Sequence, residues 1–253
     1  MQNREIDHGR AFDFGKTSKD YARFRDIYPA ALYARLRVLG VGRAGSRWLD
    51  LGTGPGVLPR NLADCGAGII GIDISADQIR EAIALSADFP NITYRVCPAE
   101  RTGLPDGSLD SITACQCFWY FDPQTIVSEI RRLLVPGGRF IKVLMSWSPD
   151  DPVAGASEQL VRRLNPEWTS DDLALRDMRT HLFDHPEEES FTADLPFTRE
   201  SWHGRMLTCR GVQGSMAPSA LARFQQEHLR LLAAFPECFT VTHRVDIVSY
   251  RVD

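Results

Sequence analysis

The sequence predicts an α/β fold: a doubly wound sheet of about seven strands with an antiparallel last strand, preceded by helices and carrying a helical cap. Three observations predict it. The apolar run Trp48-Leu49-Asp50-Leu51 leads straight into the turn Gly52-Thr53-Gly54-Pro55-Gly56, and residues 57–62 follow with helical apolar spacing. A second apolar run, Ile69-Ile70-Gly71-Ile72, ends in Asp73, and a helix opens behind Ser75. From there strand-length and helix-length segments alternate as far as residue 147, as in a parallel sheet covered on both faces.

Taken in order, residues 1–43 form an N-terminal helical segment, in which Tyr21, Phe24, Leu32, Leu36 and Leu39 describe two short helices broken near Pro29. Residues 44–149 hold the core. Ser75 suits a helix N-cap because its hydroxyl can accept a bond from an early helical amide. Residues 92–96 and 111–115 are the third and fourth strands, and a helix ending near Leu134 turns on Pro136-Gly137-Gly138 into the fifth. Residues 150–253 complete the fold. Residues 150–186, polar and broken by Pro152, Pro166 and Pro186, read as the cap, and Glu187-Glu188-Glu189 reads as a solvated loop. Residues 191–197 form strand six, a helix opens at 198–202, residues 218–235 form an amphipathic helix, and residues 241–252 alternate as the final strand.

With 253 residues, 43% of them hydrophobic, the chain can bury the core of one large domain or of one domain with a cap. Its apolar runs are strand-length, far short of the ~20 residues of a membrane span. The N-terminus is too polar for a signal peptide, so a cytoplasmic location is expected. Cys65, Cys97, Cys115, Cys117, Cys209 and Cys238 make no C-x-x-C pair and no zinc spacing, which points to reduced thiols and no metal. A net charge of −4 gives no general attraction to nucleic acid, although the first 43 residues are net basic and residues 150–200 acidic. A small-molecule partner is expected, with the chain a monomer or homodimer.

The glycine turn lets a ligand approach bare backbone, and the first amides of the following helix point towards it. Its spacing is G-x-G-x-G, not the G-x-G-x-x-G of dinucleotide sites. Asp50, two residues earlier, would repel a pyrophosphate and suits a cation. S-adenosylmethionine (SAM) meets that requirement, having an ammonium, a sulfonium and no phosphate. Asp73 lies about 20 residues beyond the turn, the spacing at which an acid reaches ribose hydroxyls. A nicotinamide oxidoreductase would need a later substrate domain and a hydride-handling site, and the sequence offers neither clearly.

These motifs are followed in order by Pro98-Ala99-Glu100, Leu104-Pro105-Asp106, Ser108-Leu109-Asp110, Cys115-Gln116 and Leu134-Val135-Pro136-Gly137-Gly138. Over residues 45–147 the chain resembles the class I SAM-dependent methyltransferases, in particular the small bacterial type 11 group that includes trans-aconitate and ubiquinone-biosynthesis methyltransferases. The resemblance implies a Rossmann-like sheet and methyl transfer from SAM. It implies that Asp50, Gly52, Thr53, Gly54 and Gly56 cradle the methionine part of SAM, that Asp73 accepts from the ribose hydroxyls and that Ile74 lies against the adenine. Ala99 and Glu100 would border the adenine edge. Cys115 and Gln116 would meet the amino-acid end and open on the acceptor. Residues 12–17 and 21–29 resemble a segment that closes over SAM, with Tyr21 and Arg25 placed to reach its carboxylate.

Methyl transfer is an in-line displacement, in which the protein mainly aligns the acceptor and excludes water; a base is needed only if the acceptor must first lose a proton. Relatives often show Gln-x-x-His-Trp-Phe-Asp after strand four. Here Trp119 stands in place of that His and Tyr120 in place of that Trp. Trp119 and Tyr120 suit either an aromatic pocket, with cation–π attraction, or core packing. His203 and Tyr120 are the catalytic candidates, although a lone histidine is also a common packing residue. Trp147, Trp202, His203 and Arg205 are expected on the acceptor side with Trp168, and Arg205 and Arg210 suit an acidic acceptor. His181 and His185 are expected to be exposed. Cys115-Gln116-Cys117 also allows a thiol-dependent arsenic methyltransferase. The alternatives to a small-molecule methyltransferase are one acting on protein or RNA and a SAM-binding protein without turnover.

Overall fold

A computed structural model describes residues 14–168, Met178 and residues 182–252. Residues 12 and 13, part of the expected cap and His181 lie outside the described residues. Seven strands form one sheet: β1 Arg47–Leu51, β2 Gly68–Asp73, β3 Ile92–Val96, β4 Leu109–Cys115, β5 Leu134–Trp147, β6 Glu187–Thr198 and β7 Cys238–Val252. Their order is β3-β2-β1-β4-β5-β7-β6, with β7 antiparallel. The helices are α1 Ser18–Phe24, α2 Ala30–Val38, α3 Val57–Asn61, α4 Ala76–Leu85, α5 Pro123–Leu133, α6 Pro152–Leu164, α7 Arg199–Leu207 and α8 Pro218–Leu232.

The chain divides into two compact units. One is drawn from residues 28–144, 182–190 and 246–252 with Met178; the other from residues 14–27, 145–168 and 191–245. The first holds the parallel strands β1–β4. Leu49, Leu51, Ile112 and Ala114 from β1 and β4 are buried with Phe118, Ile126, Ile130, Phe140 and Tyr250. Strands covered on both faces must be apolar on both, which is why β1 and β4 read as nearly continuous apolar runs. Each leucine, isoleucine or phenylalanine among them contributes roughly 1.5–3 kcal/mol by its removal from water. The helices begin where their caps dictate. Ser75 Oγ accepts the amide of Gln78 at the start of α4, and Asp122 accepts that of Thr125 at the start of α5, with Pro123 in the first turn.

In the second unit Asp151 caps α6 through the amides of Val153 and Ala154, and its other oxygen accepts the amide of Thr242 on β7. Thr198 and Ser201 form a reciprocal capping box at the start of α7.

Two expectations about local structure change. The acidic run 187–189 is the beginning of β6, not a loop. β6 is an edge strand, where charged side chains stay solvated, and Arg139 and Arg35 pair with Glu187 and Glu189 at 2.5 and 2.9 Å. Pro136-Gly137-Gly138 lies within β5. It is a bulge between the pairs Leu109↔Leu134 and Ser111↔Arg139, with Gly137 at φ 74°.

Gly71 on β2 pairs with Asp50 on one side and Tyr94 on the other. A Cβ at Gly71 would lie 2.6 Å from the Tyr94 ring and 2.9 Å from Thr53 Oγ1. Replacement Gly71→Ala is expected to cost about 1–3 kcal/mol by overpacking. Urea unfolding measures this, and an unchanged midpoint would contradict the packing described.

Candidate active site

In parallel strands the C-terminal ends lie at one edge, the usual ligand side of an α/β sheet. Asp50, the 52–56 turn, Asp73, Ile74, Cys115 and Gln116 all stand at or beyond the C-terminal ends of β1, β2 and β4. Asp50 is wholly buried. Its cross-strand neighbour on β4 is Thr113, whose hydroxyl donates to Asp50 Oδ1 at 2.6 Å and accepts from Trp48 Nε1 at 2.9 Å. Burial pushes the Asp50 carboxyl up to about 7; the Thr113 and Thr53 hydroxyls oppose the shift and the charge of Asp73 adds to it. The group therefore changes charge near neutrality.

The turn is held from both sides. Gly52, Gly54 and Gly56 have φ of 59°, 55° and 74°, a region that side chains with a Cβ rarely enter. The Thr53 amide donates to Ile72 O at 2.9 Å, and the Gly54 amide to Asp73 Oδ2 at 3.0 Å. Asp73 Oδ1 accepts the Ser75 amide at 2.8 Å. Asp73 thus ties the glycine turn to the start of α4. Burial raises its pKa, against the bonds from the Ser75, Gly54 and Ile74 amides. Tyr94 closes the turn from β3: a Cβ on Gly56 would run into its phenol oxygen, which shares a hydrogen bond of 2.9 Å with Ser86 Oγ.

Beyond β4, Gln116 takes a left-handed φ of 63° and its amide donates to Val143 O at 2.9 Å. Cys117 Sγ donates to Leu51 O at 3.1 Å, and burial pushes the Cys115 thiol up to about 12 in spite of a bond with Tyr28. Cys117 thus serves as a donor to the backbone, and Cys115 holds its proton more firmly than a free thiol. Trp119 and Tyr120 lie in a short 3₁₀ turn with ring centroids 5.4 Å apart; they are half-buried and pack on the core cluster. Ala99 is buried, and Glu100 Oε1 accepts the Asp122 amide at 3.0 Å. Ile74 is 54% exposed and Val96 52% exposed, and Val96 stands opposite Asp73 in the register.

The remaining candidates belong to the second unit. Arg25 lies over the Tyr21 ring at 4.7 Å and donates through Nε to Thr208 Oγ1 at 2.8 Å. Trp202, expected beside the acceptor, is fully buried: its indole N–H donates to Ser157 Oγ at 3.0 Å and its ring meets Trp147 edge-on. Trp202 is therefore a core residue. Trp147 Nε1 donates to Glu158 at 2.9 Å. His203 Nδ1 lies 2.8 Å from His228 Nδ1, and burial lowers the pKa of His203. Burial and the neighbouring His203 push His228 down to about 3. Arg205 is buried over the Trp147 ring, Trp168 packs on Gly211, and His185 is exposed.

Several residues escaped the sequence reading. Thr113 and Tyr94 act through cross-strand neighbours, which only the register reveals. Lys142 is fully buried on β5 with its ammonium 5.1 Å from the centre of the Phe118 ring. A lone charge within Phe140-Ile141-Lys142-Val143-Leu144 was the available signal.

The donor set fits SAM. Two acids at adjacent strand ends suit an ammonium and hydroxyls, and Ile74 and Val96 offer an apolar face to a purine. Residues 49–142 match the family described as a methyltransferase domain. An uncharacterized methyltransferase of Mycobacterium tuberculosis is 29% identical over 59% of this chain and 58% of its own length. Demethylmenaquinone methyltransferase of Tropheryma whipplei is 36% identical over 43% of this chain and 45% of its own. The chain thus spans about half the length of the curated relatives it matches. A solved structure from Anaeromyxobacter dehalogenans, provisionally described as a type II methyltransferase, is 26% identical with a TM-score of 0.57, covering 89% of this chain and 97% of that one. Residues 49–142 thus carry a methyltransferase domain, on a sheet of the kind found in the Anaeromyxobacter structure.

Because the folded-state pKa of Asp50 lies above its ordinary value, the folded protein binds the extra proton between that value and about pH 7, and stability falls as pH rises through this window. Asp50→Asn is expected to raise the melting temperature at pH 8, with the gain shrinking towards pH 5. A gain independent of pH, or a loss at pH 8, would contradict the assignment.

Proposed function

We propose that this chain transfers a methyl group from SAM to a small-molecule acceptor. The observation that carries the reading is the pair of carboxylates, Asp50 buried and Asp73 half-buried, on either side of a glycine turn without a cation for a pyrophosphate among its residues. SAM supplies, when bound, a methyl group on a sulfonium leaving group. Asp50 would hold the cationic amino-acid end, giving up its proton to do so. Asp73 meets three amide donors, those of Gly54, Ser75 and Ile74, and a carboxylate has about four acceptor positions, so it keeps capacity for a ribose hydroxyl. Ile74, with Val96, would cover the adenine, and Ala99 and Glu100 would border its edge. Gln116 and Cys115 would line the passage to the acceptor, with Trp119 and Tyr120 as its aromatic wall. We assign His203 to the scaffold, since its Nδ1 is engaged by His228. The small-molecule acceptor is supported by the name of the Tropheryma relative and by a net charge of −4, which gives no general attraction to nucleic acid.

Asp73→Ala is expected to weaken SAM binding by about 1–3 kcal/mol, because amides and hydroxyls lose their acceptor. Calorimetry checks this, with circular dichroism confirming that the sheet persists; undiminished affinity would remove Asp73 from the site. The function itself is tested by methyl transfer from labelled SAM into an extract of the source cells, separated by size. Label is expected in the small-molecule fraction. Label in protein or RNA would overturn the acceptor class and leave the cofactor site standing.

A further inference from the structure

Arg205 lies on α7 and is only 3% exposed. Its Cζ sits 5.2 Å from the centre of the Trp147 ring, and one terminal nitrogen donates to Cys209 Sγ at 3.2 Å. Its Nε is buried without a hydrogen-bond partner. Among the described residues no carboxylate forms an ion pair with it. Burial, and secondly the charge of Arg25, weaken its hold on its proton. A guanidinium nevertheless stays charged at any pH a folded protein meets. The imidazole of His243, close enough to respond to Arg205 and Arg25, is pushed down to about 4 by burial and is neutral at pH 7. Its Nδ1 is bonded to Val241 O at 2.9 Å and its Nε2 is buried without a partner. Among the described residues this positive charge is met by an aromatic face and a thiol, and Asp151, whose charge reaches His243, forms no ion pair with it. Such a charge is costly to keep unless an anion meets it.

We propose that Arg205 anchors the carboxylate of a small organic acid bound in this unit. A carboxylate matches the flat fork of Nε and a terminal nitrogen with two parallel bonds. Nε is unused, and Nη1 holds only a weak thiol acceptor. The Trp147 ring, 5.2 Å from Arg205 Cζ, supports the guanidinium. The buried setting beside the Trp147 ring favours a planar, singly charged group over a more strongly hydrated phosphate. The inference stands on Arg205 and not on the cofactor reading. Taken with that reading, it makes organic acids the first acceptors to try.

The test is calorimetric titration of the full chain, in chloride-free buffer, with acetate, succinate, citrate, inorganic phosphate and the neutral diamide of succinate. At least one carboxylate is expected to bind and the diamide is not. Arg205→Met should weaken carboxylate binding about tenfold or more, with Arg205→Lys intermediate because it keeps the charge and loses the fork. Arg205→Met should also melt no lower than the parent in the absence of ligand, since an apolar chain replaces an uncompensated charge. The Lys variant keeps the comparison available if the Met variant folds poorly. Failure of every carboxylate to bind, binding of phosphate alone, or equal binding by parent and variants would overturn the proposal.

Discussion

A carboxylate buried inside the central strands sets the terms for the rest of the candidate site. Asp50 lies on β1 between β2 and β4, where a polar side chain is tolerated only with a partner. Thr113 provides one from the opposite position of β4, and Trp48 steadies the Thr113 hydroxyl in turn. The Thr113 and Thr53 hydroxyls do not offset full burial, so the group is poised near neutrality, where a carboxylate in water is long since ionised. A packed apolar residue would be cheaper at this position. The acid is therefore a cost to the fold, which the proposed cationic ligand would offset, and the strand pairing holds the Thr113 hydroxyl in place beside it.

The glycine turn depends on the same arrangement. Its backbone lies in a region that side chains avoid, and Asp73 pins it by accepting the Gly54 amide. Tyr94 fills the space that Gly56 and Gly71 leave open. The two acids thus differ in kind. Asp50 is held within the sheet, whereas Asp73 joins strand end, turn and helix start. Removing Asp73 would loosen a preformed cradle as well as delete a ligand contact, so affinity and turn order must be measured together.

Much of the first unit was legible in the sequence because local signals agreed there. Strand β3 spans the residues that its β-branched run indicates, Ser75 caps α4 as its position demands, and Pro29 separates two helices. The glycine spacing and the two strand-terminal acids gave the cofactor class. Failures came where tertiary placement overrides local character. The acidic start of β6 belongs to a strand because it lies on an edge beside arginines, which composition does not disclose. Pro136-Gly137-Gly138 carries turn residues yet stays within β5 as a bulge that shifts its register against β4. Trp202 is fully buried with its indole on Ser157, and the His203 ring meets His228, partners that composition does not disclose. Arg205 was expected on the acceptor side; what the sequence did not reveal is that it is buried without an acid.

The central claim is that Asp50 is a near-neutral buried acid kept for the cationic end of SAM. The most direct measurement is the side-chain carboxyl carbon shift of Asp50 followed by NMR from pH 4 to 9, with and without S-adenosylhomocysteine, which retains the ammonium. The account predicts a midpoint near 7 in the free protein and a clear fall when the ligand is bound. A midpoint at the ordinary carboxylate value, or one that the ligand leaves in place, would contradict it.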